Sequence, residues 1–259
     1  MKSVIKNFII DLDGVMYIDD TPTRGSPQFI EFLRERKCRF LFLTNNSTKT
    51  RRQYVTKLNR MGIRANENEI LTSSMATCLL LKKLKPHARV YAIGEKGLMS
   101  DLRKNEFILS EEKVDFVVVG LDREFNYEKI SRACRLMRDG ARFIATNPDL
   151  TFPSRNGVIP GAGTMAAAIE ACSSKKPLIV GKPNPTIIRI ALEMMGSQRN
   201  GTAILGDKLD TDILAAKKVG MKSILVLTGI ETCATLKKSN LKPDYVFEDL
   251  PELMRRWPF

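Results

Sequence analysis

Asp11 and Asp13 frame the string Asp11-Leu12-Asp13-Gly14, directly after an apolar run. Far along the chain, Gly206-Asp207 closes another apolar run, with Asp210 and Asp212 just beyond. Two further runs end in Thr44-Asn45-Asn46 and in Gly181-Lys182-Pro183. Gathered carboxylates repel and want a cation between them. Oxygen donors without His or Cys select a hard ion, and Mg²⁺ is the usual choice beside phosphate. A lysine, a hydroxyl and backbone N–H groups near that ion suit an oxyanion on its far side. A carboxylate such as Asp11 can attack phosphorus and form an aspartyl-phosphate. Asp13, two residues on, can protonate the leaving oxygen and later take a proton from water. Gly14 permits the sharp turn that exposes both.

Each string alone has a plainer reading. DxDG is a common turn sequence. Thr44-Asn45-Asn46-Ser47 can simply cap the next helix. Lys182 alone would be solvated, and Asp212 alone would be an acid favoured in a first helical turn. What separates the set from four coincidences is that each member follows a predicted strand.

Those strands belong to an alternating pattern. Apolar runs at 4–10, 40–43, 178–180, 203–205 and 223–227 predict buried strands. Amphipathic stretches at 28–36, 51–61, 186–195 and 212–219 predict helices, and Gly62, Gly196 and Gly220 follow three of them as terminators. Continuous apolar strands alternating with helices imply an α/β fold, a parallel sheet covered on both faces. Such sheets bind ligands beyond the carboxyl ends of their strands, where the four strings lie. The middle of the chain repeats the texture, with strands at 90–93, 116–119 and 143–145 and helices at 98–104, 127–138 and 164–171. The expected organisation is a discontinuous Rossmann-like core, 1–74 and 176–259, with a smaller α/β cap domain inserted at 75–175.

Composition removes several alternatives. The 259 residues are 43% apolar and 27% charged, ordinary for a globular chain with a real core. No run of 18 apolar residues offers a membrane span, and the N-terminus lacks a signal-peptide pattern, so a cytoplasmic location is expected. Five widely spaced cysteines give no CxxC pair and read as reduced thiols. The single histidine, in Lys85-Pro86-His87, reads as a surface loop, which leaves His-dependent catalysis without a base. The net charge of +13 comes in scattered doublets rather than blocks, with one Trp, so nucleic acid is not favoured as a partner. Gly161-Ala162-Gly163-Thr164-Met165-Ala166 fits a dinucleotide fingerprint, but it follows a poor strand, 158–160, and lies outside a first βα turn.

The ordered set Asp11-Leu12-Asp13-Gly14-Val15, Thr44-Asn45-Asn46, Gly181-Lys182-Pro183 and Gly206-Asp207 with Thr211-Asp212 resembles the haloacid-dehalogenase-like hydrolase superfamily. Within it, the chain is similar to the NagD-like phosphatases, through Ala145-Thr146-Asn147-Pro148-Asp149, Pro160-Gly161-Ala162-Gly163 and Leu225-Val226-Leu227-Thr228-Gly229 as well. The resemblance implies a Rossmann-like core with a mobile cap inserted after the second motif. It implies Asp11 as nucleophile and Asp13 as general acid and base. Mg²⁺ would be held by the carboxylates of Asp11 and Asp207 and the backbone carbonyl of Asp13. Thr44, Asn45 and Lys182 would hold the phosphoryl group, with Asn46 nearby, and Asp212 would support the metal site or orient Lys182. The expected activity is Mg²⁺-dependent hydrolysis of small phosphorylated metabolites. A phosphotransferase or mutase with the same intermediate, and a non-catalytic basic binding protein, stay open as alternatives. Caps of the family can mediate dimers, so a homodimer also stays open.

Overall fold

The computed structural model describes residues 5–154 and 157–258. It divides into two compact units. The first comprises Met1–Thr44, Arg52–Leu71 and Lys182–Phe259; the second comprises Asn45–Arg51 and Thr72–Gly181. Among the described residues no helix is long and apolar enough to cross a membrane.

The first unit is built on a six-stranded sheet ordered Tyr245–Phe247, Lys222–Val226, Thr202–Gly206, Asn7–Asp11, Arg39–Thr44, Ile70–Thr72. The pairings from Tyr245–Phe247 across to Arg39–Thr44 are parallel. Asn7–Asp11 is central, and Phe8, Ile9 and Ile10 are wholly buried, so successive side chains are covered on both faces. The expected strand at 4–10 thus starts at Asn7; Val4 lies outside the described residues. The helix Ser26–Glu35 starts with Pro27 in its first turn and buries Phe29, Ile30 and Leu33 as one stripe. The Phe29 ring meets Phe8 edge-on at 6.0 Å. Burying each such side chain is worth roughly 1.5–3 kcal/mol.

The second unit carries its own five-stranded parallel sheet, ordered Leu178–Ile179, Arg142–Ala145, Phe116–Val119, Arg89–Ile93, Ile108–Leu109. The strand expected at 178–180 in the core sheet forms in the second unit instead, where Leu178 and Ile179 pair with Ile144 and Ala145. A short apolar run specifies a strand but not the sheet that accepts it.

The dinucleotide-like glycines have a packing role. A Cβ on Gly161 would overlap the Asp149 carbonyl oxygen, and one on Gly163 the Pro148 carbonyl oxygen. They let the helix Ala162–Ser173 press its first turn onto that loop. The strand before it, Gly157–Pro160, pairs antiparallel with Thr151–Ser154, so no parallel βα turn precedes these glycines. The 158–160 segment is nonetheless a strand: a two-stranded hairpin has only edges, where Pro is tolerated. His87 sits in a loop with positive φ and a largely exposed side chain.

Candidate active site

Register brings the acids together. Ile10 pairs with Leu205, so Asp11 stands level with Gly206 and Asp207 lies one residue beyond. On the other side Asp11 pairs with Leu43, with Thr44 next. Parallel strands in this register present Asp11, Thr44 and Asp207 at one edge. After Asp11 the chain turns tightly, with Gly14 N–H donating to the Tyr17 carbonyl at 2.8 Å and Met16 N–H to that of Leu12 at 2.9 Å. Gly14 has φ +81°, and a Cβ there would overlap the Asp207 carboxylate. Glycine is therefore required both for the backbone conformation and for the approach of the acid.

The carboxylates of Asp11, Asp207 and Asp212 each place an oxygen within 4.8 Å of the others. Lys182 is 3% exposed and bridges two of them, its Nζ 2.7 Å from Asp11 Oδ1 and 2.6 Å from Asp212 Oδ1. Asp212 rides on a wide helical turn, Leu209–Ile213, that precedes the helix Leu214–Val219. Its Oδ2 accepts from the Lys208 backbone and the Thr211 hydroxyl, both at 3.3 Å. A Cβ on Gly206 would strike the Asp212 side chain, so this glycine too sets how closely the acids gather. Asp207 Oδ2 accepts from the Ile230 backbone at 2.9 Å.

The charges do not balance: three buried or half-buried carboxylates face one ammonium. Burial pushes the Asp11 carboxyl well above its ordinary range; Lys182 counteracts this, while Asp212 and Asp207 add to it. Asp207 is pushed up to about 7, by burial first and by Asp212 next. Burial also works against the charge of Lys182, but Asp11 and Asp212 outweigh it, and its pKa is raised. The missing quantity is positive charge beside oxygen donors. A hard divalent cation such as Mg²⁺ fits that donor set.

The remaining expected residues divide. Asp13 is not one of the three clustered carboxylates. It forms a backbone bridge with Tyr17, and its side chain is a hydrogen-bond partner of the buried Tyr17 hydroxyl. Thr44 is buried at the end of its strand. Asn45 and Asn46 begin the second unit. There Asn45 Nδ2 donates to Asp149 Oδ2 at 3.0 Å, and its carbonyl accepts from Asn147 Nδ2 at 2.7 Å. Asn46 Oδ1 accepts from the Thr48 backbone and hydroxyl at 2.9 and 2.7 Å, a local turn of its own.

Thr228-Gly229 carries part of the family resemblance, but the sequence gives the segment 228–231 no role at the site. Thr228 Oγ1 donates to the Gly14 carbonyl at 2.6 Å, and a Cβ on Gly229 would overlap the Asp207 carboxylate. Glu231 Oε1 accepts from the Leu209 backbone at 3.2 Å. The available signal was a Thr-Gly pair closing another predicted strand of the same sheet.

Residues 8–108 match the family of haloacid dehalogenase-like hydrolases, and residues 179–253 match a second hydrolase family of that type. The acid sugar phosphatase of Staphylococcus saprophyticus is 39% identical over 96% of this chain and 97% of its own length. The crystal structure of a 4-nitrophenylphosphatase from Thermotoga maritima superposes with a TM-score of 0.93, at 40% identity and 97% coverage of both chains. NagD from E. coli K-12 gives a TM-score of 0.90 at 34% identity, covering 96% of this chain and 98% of that one. With its parallel sheet and gathered acids, the chain belongs to the haloacid dehalogenase-like hydrolases and, among them, to the NagD-like phosphatases.

Proposed function

We propose that this chain is a Mg²⁺-dependent phosphomonoesterase for small phosphorylated metabolites, with sugar phosphates as the first substrates to test, acting through an aspartyl-phosphate on Asp11. The observation that carries this reading is the gathering of Asp11, Asp207 and Asp212, two of them bridged by Lys182, with positive charge in deficit. The names of the relatives, an acid sugar phosphatase and a 4-nitrophenylphosphatase, support the substrate class.

Asp11 and Asp207, through their carboxylates, and Asp13, through its backbone carbonyl, would hold the cation. When bound, Mg²⁺ supplies Lewis acidity and neutralises charge on the transferring group. The chain's own residues do the rest. Asp11 attacks phosphorus in line with the leaving oxygen. Lys182, held by Asp212, offsets negative charge on the equatorial oxygens, and Thr44 and Asn45 donate to them. Asp13 delivers a proton to the leaving oxygen. It then takes a proton from the water that attacks the aspartyl-phosphate, which returns Asp11 and releases phosphate. Asp149 fixes the Asn45 carboxamide, and the second unit would serve as the inserted cap.

The test is phosphate release from 4-nitrophenyl phosphate and a panel of sugar phosphates, with Mg²⁺ and with a chelator. Turnover should require the metal. Asp11→Asn should lose more than about 10³-fold, beyond the 10²–10³ expected for one oxyanion donor. Release of phosphate by Asp11→Asn at the wild-type rate would refute the reading. Phosphoryl transfer to a sugar without free phosphate would replace hydrolysis with phosphotransfer.

A further inference from the structure

All five thiols are free, and two of them lie on helices that pack together. Cys134 lies on the helix Tyr127–Arg138 and Cys172 on the helix Ala162–Ser173, which pack side by side within the second unit. Cys134 Sγ lies 4.0 Å from the Ile169 carbonyl oxygen. Cys172 is three residues beyond Ile169, hence on the same helical face one turn along. Burial first, and then the Cys172 thiol as hydrogen-bond partner and as charge, push Cys134 up to about 11. Their accessibilities differ: Cys134 is buried and Cys172 exposed.

We propose that Cys134 and Cys172 are a reversible dithiol–disulfide pair, oxidised by peroxide, that clamps these two helices of the second unit together. The order of events follows exposure. The Cys172 thiolate attacks one oxygen of hydrogen peroxide. The O–O bond breaks, the other oxygen leaves as water after taking a proton, and Cys172 becomes a sulfenic acid. The Cys134 sulfur then attacks the Cys172 sulfur. The S–O bond breaks, and the departing hydroxide takes the Cys134 proton and leaves as water. Two thiols lose two electrons and two protons, and one peroxide is reduced to two waters. Thiol exchange with an external dithiol reverses the bond.

The test is titration of the full-length protein with hydrogen peroxide, followed by intact mass, thiol counting in denaturant and peptide mapping. The expected result is a loss of about 2 Da, the difference between a dithiol and a disulfide. Thiols should fall from the five in the chain by two, a 134–172 linked peptide should appear, and dithiothreitol should restore all five. Cys172→Ser should show no mass loss at the same dose. Cys134→Ser should leave a dimedone-reactive sulfenic acid on Cys172 and no internal link. A protein unchanged by excess peroxide would overturn the proposal. So would a link between two copies of the chain, a link to Cys38, Cys78 or Cys233, or oxidation of Cys172 to sulfinic acid with Cys134 still free.

Discussion

Both units build the same scaffold, parallel strands whose carboxyl ends carry polar residues, yet they settle their charges differently. In the second unit two acids past strand ends each have a cation. Glu95, after Arg89–Ile93, takes both carboxylate oxygens to Arg123 Nη1 at 2.6 and 2.7 Å. Asp122, after Phe116–Val119, accepts from Lys129 Nζ at 2.7 Å and from the Glu124 backbone at 2.9 Å. In the first unit three acids gather around one lysine that bridges two of them, and two of the three are driven upward in pKa. A common architecture therefore does not mark a reactive site. An unbalanced cluster of buried charge, maintained by glycines that allow the acids to approach, separates the two edges.

The sharpest way to break that contrast is to delete one cation from each edge. Lys182→Met leaves buried carboxylates without the ammonium that bridges them, and the expected destabilisation is about 3–5 kcal/mol. Lys129→Met removes a partner that is 30% exposed from an acid that keeps a backbone donor, and about 1–2 kcal/mol is expected. Denaturant unfolding of the metal-free variants measures both. Equal losses would mean that the first edge is no more strained than the second.

Next in size is the effect of the metal. Mg²⁺ at about 100 times its dissociation constant should stabilise the protein by about 2.7 kcal/mol, as for any ligand that binds only the folded state. Asp207→Asn should lose most of that gain, because it removes one of the gathered carboxylates, whereas Asp122→Asn should keep it. Calorimetric melting with and without Mg²⁺ reads the difference. A shift of equal size in Asp207→Asn would move the cation elsewhere.

Much of this contrast was legible in the sequence, and the reasons for the rest are physical. Asp11, Thr44, Lys182 and Asp207 stood out because buried parallel strands are apolar throughout, so the first polar residue marks the strand end. The sheet that receives residues 178–180 did not, because Leu178 and Ile179 would suit either sheet. The helix Ser73–Leu84 gave no signal, since its buried positions include Ser73, Ser74, Thr77 and Cys78, and small polar residues carry no apolar period. The helix expected from 212 is preceded by a wide turn at Leu209–Ile213 that carries Asp212, and such a turn has no sequence signature. The charge deficit runs against the composition: a chain of net charge +13 surrounds a site short of positive charge.

A surface acid with surplus cations gives the smallest and opposite effect. Asp244 accepts from Lys217 and Lys222 Nζ, both at 2.8 Å, and from the Ser223 backbone and hydroxyl at 3.0 and 2.6 Å. Burial works against its charge, but these donors outweigh it and hold the carboxyl well below the usual range. A carboxyl depressed in the folded state binds fewer protons there than in the unfolded chain. Its contribution is therefore complete above the unfolded value near 4 and is lost as pH falls below it toward the depressed value. Asp244→Asn should cost about 1–3 kcal/mol at pH 7, as hydrogen bonds to a charged group do, and the cost should shrink on acidification below about pH 4. Urea unfolding of both proteins between pH 3 and 7 measures it. A cost that stays constant across that window would show that the donors hold Asp244 by shape rather than by its charge.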